Sequence, residues 1–417
     1  MNKWENRFLY LTAILLGSIV IIKAASCSMT WDESWTYIHY TRRWADLLTL
    51  DYANNHLFNS LLIRLSLLFT GTNSEIVIRL PNILAAVAYL AACLSMLPFV
   101  RYRKTFFIFQ VGMPFLIDYF SLARGYGLAA GLIELALVIG FFRPVKNGSF
   151  ILFGLCLGAA NLTSFPLAIA SLIFCAIFVI LHIKKVPFAL INSCKSFIFW
   201  SVIIELILTA IIALLCLEHV SHSDAGVFGS YDGWYKAIPQ NIILQNFGAW
   251  EAYWLTPYIL IGCALFFISQ IRNLSMRSLI LISVGLFSIG SICILSFIFH
   301  KPIPTARVLI PWYPFWVLGF LSLLEDVPIH SKFFKPLYIQ AVSCVICCCI
   351  TLSFIHHLNF HKFEDYSNED HIQSELAHAM SSPNHCLKPS IAAPPHDYYL
   401  LRWFGTFTPE SFPRCRQ

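Results

Sequence analysis

Two adjacent carboxylates, Asp32 and Glu33, lie in the segment SMTWDESWTYIHY, directly after the first long apolar run. A carboxylate in such a place can act as a general base that takes a proton from an attacking hydroxyl or amine. The same pair also fits a helix N-terminus, where acidic side chains are favoured, inside an interfacial belt of Trp and Tyr. The pair by itself leaves both interpretations open.

Three further ionisable residues bear on the same chemistry: Asp118, Arg124 in SLARGYGL, and Arg307 in TARVLIPWYPF. In a membrane such groups are costly, so they usually mark a site or a pair of partners. The planar fork of arginine matches phosphate oxygens, and it stabilises a phosphate that departs. Together with a carboxylate base, the set predicts transfer of a group from a phosphate-linked lipid donor. The alternative is that Asp118 and Arg124 only neutralise each other.

The elements that position these residues are predicted to be membrane helices. Of the 417 residues, 58% are hydrophobic and 12% are charged, whereas a soluble chain carries about 25% charged residues. Such a chain cannot cover a water-facing surface, so we predict an all-α polytopic membrane protein. The net charge is +6, but Lys and Arg are scattered rather than gathered into a stripe. This scatter argues against a nucleic-acid partner.

Apolar runs predict about eleven transmembrane helices, because one span needs about 20 mainly apolar residues. The runs lie near residues 8–28, 76–99, 104–119, 121–142, 149–163, 165–182, 196–217, 254–270, 278–299, 307–324 and 337–356. The segment HLFNSLLIRLSLLF at 56–69 also contains Asn59 and Arg64. This mixture predicts an amphipathic helix in the membrane interface rather than a span.

Basic residues orient the predicted spans with the N-terminus in the cytoplasm, because Lys and Arg then gather in the inner segments. We predict a transmembrane domain over residues 1–357, with a first outer loop at 29–75 and a second large outer loop at 218–253. Residues 358–417 form a short periplasmic C-terminal segment, which we call the tail. The tail is too short for a large independent domain, so we expect it to pack on the outer loops.

The order of the motifs resembles bacterial membrane glycosyltransferases of the GT-C type. These are relatives of protein O-mannosyltransferases and lipid A aminoarabinose transferases, and the resemblance is of the glycosyltransferase family 39 kind. DESWTY comes first, then His56 before an interfacial helix, then GTNSEIVIRLP leading into the next span. In the turn DYFSLARGYGL, the matching residues are Ser121, Arg124 and Tyr126, and ARVLIPWYPF is similar to the family's later outer Arg-and-Pro segment.

The resemblance implies an inverting transferase that moves a hexose or pentose from a polyprenyl-phosphate donor to a lipid, glycan or protein acceptor. It implies action at the periplasmic face of a bacterial inner membrane, in contact with membrane lipids. Asp32 is the implied base, Glu33 orients Asp32 or the acceptor, and the substrate-binding candidates are His56, Asp118, Arg124, Tyr126 and Arg307. The segment departs from the family after His56, where Leu57 and Phe58 stand in place of prolines.

Two other functions stay open, namely a transporter or flippase for a lipid-linked sugar and a relative that binds this sugar without turnover. A transporter usually shows repeated halves with polar groups near the midplane, whereas the polar residues here gather at one predicted surface. No cofactor is firmly implied. A divalent metal stays open at His356, His357 and His361, although their position at the end of a span favours an interfacial cluster.

Overall fold

The structure is a computed structural model that describes most of the N-terminal half of the chain and shorter pieces beyond it. The described ranges are 3–48, 55–142, 147–183, 197–222, 229–230, 278–287, 303–304, 310–326 and 350–352. Further described positions are 275, 290, 308, 344, 347–348, 354–356, 358, 360, 363, 398–399 and 402.

The described residues are almost entirely helical. The N-terminal helices are α1 (Lys3–Ser26), α2 (Trp31–Thr36), α3 (Leu57–Thr70), α4 (Glu75–Met96) and α5 (Arg103–Val111). They are followed by α6 (Pro114–Ser121), α7 (Tyr126–Leu137), α8 (Asn147–Thr163), α9 (Leu167–Ile183) and α10 (Phe197–His222). Shorter or later helical pieces are Tyr37–Thr41, Trp44–Leu48, Leu97–Phe99, Val138–Phe142, Ser278–Phe287, Ile310–Trp312 and Tyr313–Asp326. A two-residue antiparallel pair joins β1 (Gly229–Ser230) to β2 (Ile303–Pro304).

Helices α1 and α4 have the length and the apolar composition that crossing a membrane requires. Within the described residues, the stretches Trp4–Ser26 and Glu75–Phe99 meet this requirement. On α1, Leu9, Leu16 and Val20 are buried against the protein, whereas Ile14 and Leu15 are exposed. A helix face made of many large exposed apolar side chains suits a nonaqueous surrounding. The fold is therefore that of an all-α polytopic membrane protein, as the composition predicts.

The predicted spans at 104–119 and 121–142 are not two simple helices. The structure ends α5 at Val111 and begins α6 at Pro114, because proline lacks an N–H donor and its ring clashes with the preceding turn. The stretches Phe115–Ser121 and Tyr126–Phe142 are then bent by 107° across a short turn. By length and composition this bent pair fits either one broken span or a re-entrant loop, and the total number of spans stays a prediction.

Helix α3 confirms the helix predicted over 56–69. Its Asn59, Ser60 and Ile63 are buried against the protein, whereas Leu68 and Phe69 are exposed. The helix ends at Gly71, whose φ of 66° lies in the left-handed region that glycine adopts readily. Helix α3 packs on α4 and α8, and it thereby brings the first predicted outer loop against the bundle.

Candidate active site

Asp32 and Arg124 form a buried ion pair. Asp32 lies in the first turn of α2, and its Oδ2 is 3.1 Å from Nη2 of Arg124, in the turn between α6 and α7. The side chains are 9% and 1% exposed. The carboxylate predicted to be a base and the guanidinium predicted to bind phosphate thus come together across about ninety residues of sequence.

Glu33 has a different environment, because it is fully enclosed by hydrogen-bond donors. Arg79 of α4 donates to Oε1 from Nε at 2.8 Å and to Oε2 from Nη2 at 2.7 Å. The backbone N–H of Ala123 donates to Oε1 at 2.7 Å, and that of Thr30 donates to Oε2 at 3.0 Å. The last bond belongs to a capping box that starts α2.

Arg79 also donates hydrogen bonds to backbone carbonyls at the C-terminal end of α1. Its Nη1 donates to the carbonyls of Ala24 and Cys27, and its Nη2 donates to the carbonyl of Ser28, all at 2.8 Å. With the two bonds to Glu33, the guanidinium uses its full set of donors. One buried pair therefore joins the end of α1, the start of α2 and helix α4.

The turn that carries Arg124 is fixed by side chains from three helices. Besides the bond from its N–H to Glu33, Ala123 accepts a hydrogen bond at its carbonyl from Nδ2 of Asn59, at 3.1 Å. Asn82 donates to Oδ1 of Asn59 at 2.9 Å and accepts from the N–H of Leu128 at 3.0 Å. Buried backbone groups rarely lack a partner, so this network sets the position of the turn.

His56 and Tyr126 contact each other beside the same turn. Nδ1 of His56 is 2.7 Å from the carbonyl oxygen of Thr163, and the two rings meet edge-on with centroids 4.8 Å apart. Arg124 lies over the Tyr126 ring at 5.8 Å. Gly125 between them has a φ of 75°, and a Cβ there would lie 3.0 Å from the Cβ and Cγ of His56.

Asp118 is paired with a residue that the sequence did not single out. Nζ of Lys23, on α1, lies 2.5 Å from Oδ1 of Asp118, on α6, and both side chains are buried. The alternative in which Asp118 and Arg124 serve only each other is therefore wrong, because each has an ion-pair partner elsewhere. Arg307, the remaining predicted phosphate ligand, lies outside the described residues.

Sequence reasoning missed Lys23 and Arg79, although both carried a signal. Each is an ionisable residue within an apolar helix, and such residues usually have a partner or a function. Arg79 also lies in the GTNSEIVIRLP phrase that carries the family resemblance. In the part of the chain that the structure describes, no group of three metal-ligating side chains comes together. Of the C-terminal histidine cluster, only His356 is described.

The arrangement gives the Glu33 carboxylate a supporting role and places the Asp32 carboxylate where it could take part in a reaction. Glu33 is bonded on both oxygens to groups of the scaffold. Asp32, one residue earlier, lies against a guanidinium on a turn that has aromatic and imidazole neighbours. A carboxylate beside an arginine can accept a proton while the arginine holds an anion.

No family model matches the sequence, and a search of curated proteins finds no match. The fold is similar to two crystal structures of ArnT from Cupriavidus metallidurans. For the structure bound to undecaprenyl phosphate, the identity is 10% and the TM-score is 0.54, with 96% of this chain and 85% of that chain covered. For the apo structure, the identity is 11% and the TM-score is 0.49, with 94% of this chain and 84% of that chain covered.

The match to undecaprenyl-phosphate-bound ArnT extends over nearly the whole chain, far beyond the motif region of the N-terminal third. ArnT is a lipid A aminoarabinose transferase of the GT-C family. At this low identity the likeness concerns the fold, and it agrees with the fold that the sequence motifs imply. The chain has the GT-C fold that ArnT also has.

Proposed function

We propose that this protein is an inverting glycosyltransferase that moves a sugar from a polyprenyl-phosphate donor to an acceptor. The observation that carries the proposal is the buried Asp32–Arg124 pair on a turn fixed by Glu33. The GT-C fold supports it, and ArnT with this fold has been crystallised with undecaprenyl phosphate.

In the proposed reaction, the carboxylate of Asp32 accepts the proton of an acceptor hydroxyl or amine. The freed electron pair of the acceptor forms a bond to the anomeric carbon of the sugar, opposite the phosphate. The bond from the anomeric carbon to the phosphate oxygen breaks at the same time, so the configuration inverts. The polyprenyl phosphate leaves with the bonding electrons, and the guanidinium of Arg124 stabilises its charge.

The other predicted residues have distinct proposed roles. Arg307 is a second phosphate ligand, and His56 with Tyr126 borders the donor sugar, because their rings contact each other beside Arg124. Glu33 positions the turn of Arg124 through Ala123. Asp118 supports the site through its pair with Lys23 rather than by contact with substrate.

The proposed setting is the periplasmic face of a bacterial inner membrane. The transmembrane domain of residues 1–357 would bind the lipid-linked donor, and the outer loops 29–75 and 218–253 would receive the acceptor. The site residues lie at the ends of α1, α4 and α6 and in the loop after α1, which is the surface that the basic residues predict to face outward.

The test is Asp32→Asn, assayed in membranes with radiolabelled polyprenyl-phosphate sugars. We expect a loss of about 10²-fold or more in kcat, with little change in KM for the donor. Glu5→Gln, a carboxylate-to-amide change at the Glu5–Lys104 pair in the first turn of α1, is the matched control and should transfer at the parent rate.

Transfer that survives Asp32→Asn removes Asp32 from the chemistry. A parent protein that transfers no sugar from any donor contradicts the enzyme altogether. In that case, translocation of a fluorescent lipid-linked sugar in proteoliposomes distinguishes the flippase from the binder without turnover.

A further inference from the structure

The tail reaches the candidate site at two separated places, the first of which is Phe360 with Phe363. The carbonyl of Phe360 accepts hydrogen bonds from Oγ of Ser26, at 2.6 Å, and from Sγ of Cys27, at 3.6 Å. The Phe363 ring is 5.3 Å from Nζ of Lys23 and 5.3 Å from Cζ of Arg79. Phe363 is 2% exposed, so it covers the cationic members of both supporting ion pairs.

The second contact place lies further along the tail. The hydroxyl of Tyr399 accepts a hydrogen bond from the N–H of Met29 at 2.9 Å, in the short connection between α1 and α2. The hydroxyl of Tyr398 donates to the carbonyl of Asn73 at 2.8 Å. Both tyrosines are fully buried, and Arg402 forms an ion pair with Glu75 in the first turn of α4.

These contacts converge on the three chain segments that the Glu33–Arg79 pair joins. Ser26 ends α1, Met29 precedes α2, and Glu75 begins α4. From these facts we propose that the tail is a positioning part of the catalytic site, which holds the ends of α1, α2 and α4 in the arrangement that sets Asp32 against Arg124. The proposal rests on the proposed function, because it assigns the tail to the same site.

The physical reason lies in the burial of the two supporting pairs. Ion pairs are strong where water is excluded, and they weaken when water competes for their partners. Phe363 excludes water from Lys23 and Arg79 and adds a cation–π contact to each. Without this cover, Glu33 holds Arg79 and Ala123 less firmly, and the turn that carries Arg124 loses its fixed position. The tail thus acts through other residues, without touching the reacting atoms.

The first experiment exchanges the charges of the Glu75–Arg402 pair. Glu75→Arg and Arg402→Glu are each expected to lower kcat tenfold or more while KM for the donor changes less than threefold. The double variant is expected to recover to within threefold of the parent, since the pair is restored with reversed sign. The matched control is the Glu5–Lys104 pair, which lies at the opposite end of α1 from Ser26, and for which Glu5→Lys, Lys104→Glu and their double should keep the parent kcat.

The second measurement reports on tail docking without any transfer assay. Cys27 is 3% exposed and its thiol contacts Phe360, so a membrane-impermeant maleimide should label it slowly in the parent. The rate of Cys27 labelling, quantified by peptide mass spectrometry, should rise tenfold or more in Arg402→Glu. In the charge-exchanged double variant it should fall back to the parent rate.

A third series tests the cover over the cations. Phe363→Ala is expected to lower kcat and to speed Cys27 labelling, whereas Phe363→Tyr, which keeps the ring, should stay near the parent in both. Phe354→Ala, which removes a half-buried ring packed on the hydrophobic core, controls for general loss of packing.

The outcomes separate the two proposals. If Cys27 labelling follows the variants as expected while the parent transfers no sugar, the tail docks as proposed and the glycosyltransferase fails. The positioning role is overturned if the single reversals keep the parent kcat, if the double variant stays as low as the singles, or if Phe354→Ala reproduces the effect of Phe363→Ala.

Discussion

At the scale of single residues, the adjacent acids of α2 differ in what surrounds them. Glu33 accepts hydrogen bonds from Arg79, Ala123 and Thr30, so its carboxylate holds neighbouring segments of the protein together. Asp32 contacts Arg124 of the turn that the scaffold holds. Glu33 fixes the geometry and Asp32 can exchange a proton, because adjacent residues of a helix point about 100° apart and so meet different surroundings.

Glu33→Gln should act mainly on stability. The change leaves the buried Arg79 guanidinium without its counter-charge, and breaking a buried pair in this way costs about 3–5 kcal/mol. Thermal unfolding of the detergent-solubilised protein measures the loss. Glu5→Gln, at the surface pair of Glu5 with Lys104, should cost no more than about 1 kcal/mol; equal effects of the two changes would show that Glu33 is not a structural anchor.

Gly125→Ala should damage the site in two ways. The φ of 75° is unfavourable for alanine, and the new Cβ would meet His56 at 3.0 Å and Cγ2 of Thr163 at 3.1 Å. Gly71→Ala is a matched control, since its φ is 66° but its Cβ would have no neighbour within 4 Å. Both changes should cost about 1–2 kcal/mol of stability from the backbone.

Only Gly125→Ala should also raise KM for the donor, because only this change displaces His56. Donor titrations of the two variants at equal protein level decide the matter. An unchanged KM in Gly125→Ala would mean that His56 does not border the donor.

At the scale of elements, side-chain hydrogen bonds from three helices hold the candidate site together. The turn between α6 and α7 is held by α2 through Glu33, by α3 through Asn59 and by α4 through Asn82. The Lys23–Asp118 pair joins α1 to α6 in the same region. Side-chain bonds to backbone replace the regular helical bonds that the break between α6 and α7 removes.

The Lys23–Asp118 pair offers a prediction about the role of Asp118. Lys23→Met alone removes the ion-pair partner of the buried Asp118 carboxylate and should cost about 3–5 kcal/mol, whereas Lys23→Met with Asp118→Leu should regain most of this loss. If Asp118 only supports the site, the double variant should also regain transfer. Unfolding midpoints and kcat are measured together, and a stable double variant with no transfer would return Asp118 to the substrate-binding set.

At the scale of the whole molecule, the bundle is apolar over its described length, and the buried ion pairs of the described residues gather at one end. Exposed leucines and isoleucines of α1, α4, α8 and α10 suit a lipid surrounding. At the end of α1 lie the pairs of Lys23, Glu33 and Arg124, with the described residues of the tail against them. The proposed transferase, which would draw its donor from the membrane, needs this division.

The tail should also give the molecule a sensitivity to alkaline pH. Burial raises the pKa of Tyr399 from its ordinary value of 10.0 to about 12. A raised pKa favours the protonated phenol in the folded state, so its contribution to stability is full below pH 10 and is lost as the pH rises toward about 12.

Unfolding midpoints between pH 9 and pH 12 test this sensitivity. The loss of stability across this interval should be smaller in Tyr399→Phe than in the parent, because phenylalanine has no proton to lose. Tyr102→Phe, at a tyrosine far from the tail in sequence, should behave as the parent. Equal alkaline losses in the parent and in Tyr399→Phe would contradict a buried Tyr399 phenol.

The sequence by itself determined the membrane class, the helical fold and the main candidates. Composition decides the class, since so few charges cannot cover a water-facing surface. The motif order from DESWTY to SLARGYGL predicted the GT-C fold, and it marked Asp32 and Arg124 as candidates of one site. These inferences depend on local patterns and on the sidedness of spans, which a single sequence contains.

Only the tertiary structure decided which charges pair. Lys23 and Arg79 lie within apolar helices, and their partners Asp118 and Glu33 are distant in sequence. The choice depends on how helices are rotated and shifted against one another, which the pattern of apolar residues leaves undetermined. The contacts of Phe363, Tyr398 and Tyr399 likewise became visible only in the folded chain, because the residues that these rings cover are distant in sequence.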